Sequence, residues 1–292
     1  MNATSAEPKV AKRKGRVLGN SGLILAAIVL GAIVVMAVFA PFFAPHDPYA
    51  QALDDRLLPP AFVDAERADP RYPLGTDNLG RDYLSRLIYG ARISLLIGVL
   101  TMLVSGVIGA VLGVAAGYFG GRVDTVVSFL ITTRLSLPVV MVALAVVAIA
   151  GGSLEVVVLV LGFLLWDRFA VVMRSATMQL RSLDYVAAAR AIGASTPRVV
   201  VAEILPNLIS PLVVVASHEM AQAILLEAAL SFLGLGVQPP LPSWGLMVAE
   251  AKEFMLFEPW MILLPGVAIC VLVLAINLLG DGIRDATAPE GR

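Results

Sequence analysis

Ionisable and amide side chains set inside apolar stretches are the part of this sequence that can do chemistry. Arg134 interrupts one apolar run, Asp167 and Arg168 follow Trp166 near the end of another, and His218, Glu219, Gln222 and Glu227 punctuate a third. Such groups are expensive in hydrocarbon, so they line a solute or ion path, relay protons or hold subunits together. Positions 219, 222 and 226/227 recur every three to four residues, the spacing of one helix face, which groups Glu219, Gln222 and Glu227 on one polar face. Arg134 requires a wet cavity, a route to the interface or an acidic partner. Trp166-Asp167-Arg168 reads as an anchor at the membrane–water interface.

Other chemistries lack their parts. Ser217, His218 and Glu219 are adjacent and point to different helix faces, so they assemble no nucleophile and base. His46 and His218 are too few and too distant for a metal cage, and Asp77 and Asp82 lack calcium-loop spacing. Only four lysines occur, none in a phosphate-cradling Gly-x-x-x-x-Gly-Lys-Ser/Thr motif. The single Cys270 excludes a disulfide framework. No catalytic residue, metal site, cofactor or nucleic-acid surface is expected on this chain. A stand-alone proton-coupled transporter relaying through His218, Glu219 and Glu227 stays open as one class of function.

The elements that must position these residues are membrane helices. With 59% hydrophobic and 15% charged residues and a mean hydropathy of +0.87, the chain is far too apolar for a soluble domain. An all-α integral membrane protein with six transmembrane helices is expected. Residues 1–21 form a basic, disordered tail. The run 22–40 is uncharged for 19 residues, enough for a first span across a core of ~30 Å. A proline-rich polar loop occupies 41–92. Its distal part opens with cap residues Thr76 and Asp77 and places Leu84, Leu87, Ile88 and Ala91 on one face of an interfacial helix, with Arg81, Asp82 and Arg86 turned away. Five further spans lie within 93–280, at 93–116, 126–150, 156–173, 208–233 and 260–280. Gly106, Gly109 and Gly113 form a small-residue stripe on the second of the six, which implies close helix contact within the subunit or with a partner. Trp244, Phe254, Phe257 and Trp260 read as interfacial aromatics, and 281–292 as a short tail.

Between the fourth and fifth spans, residues 174–207 hold the longest polar interruption of the second half. Ser182 is a candidate N-cap, Asp184 complements a helix dipole, and Gly193 supplies a left-handed terminus. Ser195-Thr196-Pro197 then starts another helix. The Ala187-Ala188-Ala189 run lets a foreign backbone approach closely, which suits a docking peg. From the residues alone, a plain surface helix pair joining two spans fits equally, since alanine is also the best helix former.

The order Ala188-Ala189, Gly193, then Leu205-Pro206 resembles the cytoplasmic loop of permease subunits of binding-protein-dependent ABC importers. Leu74-Gly-Thr-Asp77, Gly80-Arg-Asp82, Ser231-Phe-Leu-Gly-Leu-Gly236 and Pro242-Ser-Trp-Gly245 resemble the branch importing dipeptides, oligopeptides, nickel or glutathione. This resemblance implies a type I importer permease in the bacterial plasma (inner) membrane. It implies one homologous permease, two ATPase subunits that bind ATP and magnesium, and an extracytoplasmic substrate-binding protein as partners. It assigns ATPase coupling to Leu183, Asp184, Ala187, Ala188, Ala189, Arg190 and Gly193, and alternating access as the mechanism. Ala187 stands where the family has glutamate. Lysine and arginine concentrate in the tails and the 174–207 loop, while the short loops on the other side hold only Lys252, which places both termini and that loop in the cytoplasm.

Overall fold

A computed structural model describes residues 11–287. Every regular element among them is helical, beyond one isolated bridge pairing Thr76 with Asp82. In chain order the helices are α1 (Ala11–Val38), α2 (Ala40–Phe43), α3 (Tyr83–Phe119), α4 (Gly121–Leu135), α5 (Val139–Ala150), α6 (Leu154–Leu164), α7 (Trp166–Arg181), α8 (Asp184–Ala191), α9 (Thr196–Arg198), α10 (Ile209–Phe232), α11 (Trp244–Ala251) and α12 (Trp260–Thr287). Four stretches are long and apolar enough to cross a membrane: Tyr83–Phe119, Leu154–Arg181, Thr196–Phe232 and Trp260–Asp285. The pair α4 and α5 makes a fifth if its 82° bend is counted within one span. The apolar part of α1, Gly22–Val38, is shorter.

The 37-residue α3 is the spine. Its glycine stripe closes against α7 of the same chain: a Cβ on Gly109 would lie 2.3 Å from the Trp166 carbonyl oxygen, and one on Gly113 2.5 Å from that of Ala170. The stripe continues to Gly117, where a Cβ would meet the Arg174 carbonyl at 2.6 Å. Only glycine allows two backbones this close. Helix α3 accordingly runs on to Phe119, past the expected span end at 116.

The expected interfacial helix before the second span does not exist as a separate element. Asp82 is the N-cap, accepting from the Ser85 amide at 3.0 Å, and the helix runs unbroken from Tyr83. Thr76 and Asp77 cap nothing there; the Thr76 hydroxyl instead bonds the Asp55 carbonyl at 2.5 Å. Arg81, Asp82 and Arg86 point inward and are buried. Arg86 Nη1 donates to Asp77 Oδ2 at 2.5 Å and Glu250 Oε2 at 2.7 Å, while Arg81 Nε reaches Asp77 at 2.6 Å and its Nη2 reaches Glu250 at 3.2 Å. Two acids and two arginines thus fasten the polar loop and α3 to α11. The interfacial reading failed because the partner, Glu250, lies 164 residues away in sequence from Arg86.

Two expected interfacial aromatics are core residues. Trp244 is 1% exposed, and its indole nitrogen donates to the Leu87 carbonyl at 2.8 Å. Trp260 is buried against Tyr83 and donates to Glu258 at 2.9 Å. Of the four, Phe257 is strongly exposed. The ends also differ from expectation: helix α1 begins at Ala11, inside the stretch read as disordered, and α12 continues through Asp281 to Thr287. Residues 1–10 and 288–292 of the expected tails lie outside the described residues.

Candidate functional site

Two sets of expected residues acquire geometry, the loop between α7 and α10 and the polar groups within the spans. In the loop, Ser182 caps the end of α7 rather than the start of α8. Its hydroxyl donates to the Gln179 carbonyl at 2.8 Å, and the N-cap position of α8 belongs to Leu183, with no side-chain hydrogen bond. Asp184 lies in the first turn of α8. Gly193, at φ +87°, ends the helix: its amide donates to the Arg190 carbonyl and that of Ala194 to the Ala189 carbonyl, each at 3.0 Å, the paired bonds of a Schellman terminus.

Helix α8 is fixed to the helices behind it. Val186 is fully buried in a cluster with Tyr118, Phe169, Met173, Val199 and Leu208. The Arg190 guanidinium lies 4.9 Å from the centre of the Tyr118 ring, and Arg181 donates to the Tyr118 carbonyl at 2.7 Å. Ala189 also packs against this cluster. Arg190 and Ala189 therefore face the chain's own α3 and α7. The outward stripe at helical spacing is Asp184, Ala187, Ala188, Ala191 and Ile192, with Ile192 86% exposed. Ile192 escaped the sequence reading, although its spacing of four from Ala188 signals the same face.

Within the spans, the structure brings Arg134, Glu219 and Gln222 together and adds Asp167 and Arg168, all lining one pocket of about 150 Å³. Arg134 Nη2 approaches Asp167 Oδ1 at 3.5 Å, and its Nε donates to the Leu164 carbonyl. That carbonyl lies in the last turn of α6, where no intrahelical amide is available to it. The arginine thus found the acidic partner its position demanded. Asp167 is 3% exposed and paired, so the reading of Trp166-Asp167-Arg168 as an interfacial anchor is corrected. Arg168 Nε stands 3.5 Å from Glu219 Oε1, and its Nη1 meets His218 Nε2, which presents its lone pair there.

Glu227 is elsewhere. It accepts from the Ser231 hydroxyl at 2.8 Å and the Ser243 hydroxyl at 3.0 Å, and Ser243 in turn caps α11 by accepting from the Leu246 amide. Glu219 and Glu227 are roughly 12 Å apart along the axis and roughly 80° apart around it, from 1.5 Å and 100° per residue. The expected shared face therefore holds for Glu219 and Gln222 but not for Glu227, which holds the start of α11. A relay through His218, Glu219 and Glu227 is not assembled. The small pocket shares Leu135, Asp167 and Arg168 with a cavity of about 850 Å³ between α7, α10 and α12, whose wall also carries His218, Asp281 and Arg284. This volume is in the range of small-molecule sites.

Comparisons with known proteins place these features in a wider group. Residues 109–290 match the family described as binding-protein-dependent transport system inner membrane component, and residues 16–60 match the N-terminal TM domain of oligopeptide transport permease C. The chain is 43% identical over 271 residues to the di/tripeptide transport system permease protein DppC of Pseudomonas aeruginosa, covering 93% of this chain and 89% of that protein. It is 42% identical over 271 residues to the dipeptide transport system permease protein DppC of Escherichia coli K12, covering 93% and 90%. Among solved structures, an inward-facing MetNI methionine ABC transporter chain superposes with a TM-score of 0.60 at 18% identity, covering 70% of this chain and 98% of that one. At that identity the likeness is one of fold.

Proposed function

Since the chain belongs to the family of binding-protein-dependent transport system inner membrane components, we propose that it is the transmembrane subunit forming half of the import path for di- or oligopeptides. It works by alternating access in the bacterial inner membrane, with six spans and both termini in the cytoplasm. A homologous permease completes the path, two ATPase subunits supply ATP hydrolysis with magnesium, and an extracytoplasmic protein delivers the solute. The observation that carries the reading is identity above 40% along almost the whole chain to permeases of peptide systems. The outward stripe of α8 supports it: alanines and one exposed isoleucine present a small apolar surface on a helix fixed firmly from behind.

With Ala187 in place of glutamate, docking rests on shape, through Leu183, Asp184, Ala187, Ala188 and Ile192, while Arg190 and Ala189 hold the helix and Gly193 ends it. The test is co-purification of tagged chain from mild detergent, together with uptake of a labelled dipeptide by the reconstituted importer. Wild type is expected to bring down an ATPase and to accumulate peptide when ATP is supplied. Ala188→Trp and Ile192→Asp are each expected to abolish ATPase recovery while the permease keeps its unfolding temperature. Recovery equal to wild type from both variants would overturn the docking face, and ATP-independent uptake would overturn the importer.

A further inference from the structure

We propose that Arg168 and Glu219 form an exchangeable ion pair that binds a zwitterion within the path, taking the charged amino and carboxyl termini of a short peptide. The proposal rests on the permease reading above and assigns residues to substrate recognition within it.

Bond geometry distinguishes this pair from the permanent one. At Asp77, Arg81, Arg86 and Glu250 the ion contacts include separations of 2.5, 2.6 and 2.7 Å, and each arginine touches both acids. Glu219 is just as buried, at 1% exposure, yet it meets Arg168 only at 3.5 Å, and its Oε1 has no hydrogen-bond partner. A buried carboxylate left so loosely held retains the capacity to accept a further donor. Both residues line the small pocket, and Arg168, whose side chain is 49% exposed, also lines the large cavity. The other partner of Arg168, His218 Nε2, lies on the wall of that same cavity, so the guanidinium can turn from Glu219 toward the cavity while keeping the His218 contact.

Charge selects the ligand class. Arg134, Asp167, Arg168 and Glu219 sum to zero, and the far wall adds Asp281 and Arg284, again one of each sign. A cation or an anion entering alone leaves one uncompensated charge among apolar walls, which costs several kcal/mol. A zwitterion does not. Its ammonium takes Glu219 as Arg168 turns away, and its carboxylate takes the released guanidinium, so every charge is paired before and after. Gln222, with both a donor and an acceptor, lies beside the pair for the intervening amide.

The test uses the assembled complex of both permeases and ATPases in detergent, without the binding protein, so that selectivity belongs to the membrane subunits. Unfolding temperature is followed against alanyl-alanine, alanine amide and N-acetylalanine, which are zwitterion, cation and anion. Stabilisation by ligand follows RT ln(1 + [L]/Kd). Alanyl-alanine is expected to stabilise and the two singly charged probes to do so at least tenfold more weakly. Glu219→Gln and Arg168→Gln are each expected to weaken the alanyl-alanine effect at least tenfold, and the exchanged pair Arg168→Glu with Glu219→Arg to restore part of it. Equal stabilisation by all three probes, or none by any, overturns the proposal, and the wild-type series decides it even where a variant fails to fold. Peptide uptake by the complete importer is scored separately. Uptake without zwitterion-selective stabilisation removes this site and leaves the permease reading standing, whereas selective stabilisation without peptide uptake supports the site and removes the peptide reading.

Discussion

Replacing Arg86 by methionine keeps the aliphatic stem and deletes the charge at the centre of the cluster joining α3 to α11. Arg86 is 1% exposed and bonds Asp77 and Glu250 at 2.5 and 2.7 Å. Breaking a buried ion pair from one side costs about 3–5 kcal/mol, because the remaining charge is stranded. Arg81 still reaches both carboxylates, at 2.6 and 3.2 Å, so the lower end of that range, about 3 kcal/mol, applies here. At roughly 2–4 °C per kcal/mol for a chain of this size, the unfolding temperature should fall by about 6–12 °C. The double variant Arg86→Met with Glu250→Gln leaves Asp77 paired with Arg81 and no net charge in the cluster. It should therefore be more stable than Arg86→Met alone, with a coupling of about 1–3 kcal/mol in a double-mutant cycle. Thermal unfolding of the purified permease, read by intrinsic fluorescence of Trp244 and Trp260 beside the cluster, provides the numbers. A loss under about 1 kcal/mol for the single variant, or a double variant no more stable than the single, would refute the stranded-charge argument.

Three further outcomes follow from the same contacts. Gly113→Leu drives a side chain into the Ala170 carbonyl and should lower stability by about 1–3 kcal/mol in thermal unfolding, whereas Gly106→Ala, whose Cβ would stand 3.4 Å from the Phe169 ring, should be nearly neutral. Ala189→Trp should lower the unfolding temperature of the isolated permease, since Ala189 packs inward on the cluster around Val186; an unchanged temperature would place its side chain outside. Amide hydrogen exchange should be faster across the π-helical turn Val199–Ile204 than in α7, and equal protection would show that the irregular turn is as stable as the regular helix.

Four of the six expected spans were legible because hydropathy is a local sum, and the glycine stripe because its three-and-four spacing is local too; the run 126–150 is divided by an 82° bend, and the apolar stretch Gly22–Val38 is shorter than those four. The loop's ends were legible where the signal is carried by one residue: Gly193 takes the left-handed conformation that its lack of a side chain permits. What failed were the judgements on Arg81, Arg86, Asp167 and Trp244, each of which needed a partner far along the chain. Arg81 and Arg86 looked solvent-facing because the acid that completes their pairing is Glu250. Asp167 looked interfacial because Arg134 lies 33 positions before it, across the 82° bend between α4 and α5. Trp244 looked interfacial because its acceptor is the Leu87 carbonyl on another helix. Glu227 was misplaced for a different reason: spacings of three, five and eight along a helix were treated as one face, although successive steps carry the last residue around it.

The attachment of α8 decides how a push on its outer face is transmitted. Arg181 and Arg190 both engage Tyr118, and Val186 is buried in one cluster with Tyr118, Phe169 and Met173 of α3 and α7 and with Val199, Ile204 and Leu208 of the segment leading to α10. Along that segment, α9 runs into a π-helical turn and then a 3₁₀ turn at Leu205–Leu208 before α10 begins. Such turns replace the uniform hydrogen-bond ladder with poorer geometry and yield more readily. A displacement of α8 therefore reaches α7 through a regular helix and reaches α10 through shared packing and these two irregular turns. Arg168 lies near the start of α7 and Glu219 on α10, so the two attachments lead to the two members of one long ion pair. The two connections of the loop thus differ in regularity, and α7 and α10 join it to the two members of that pair without any direct contact, among the described residues, between the loop and the polar site.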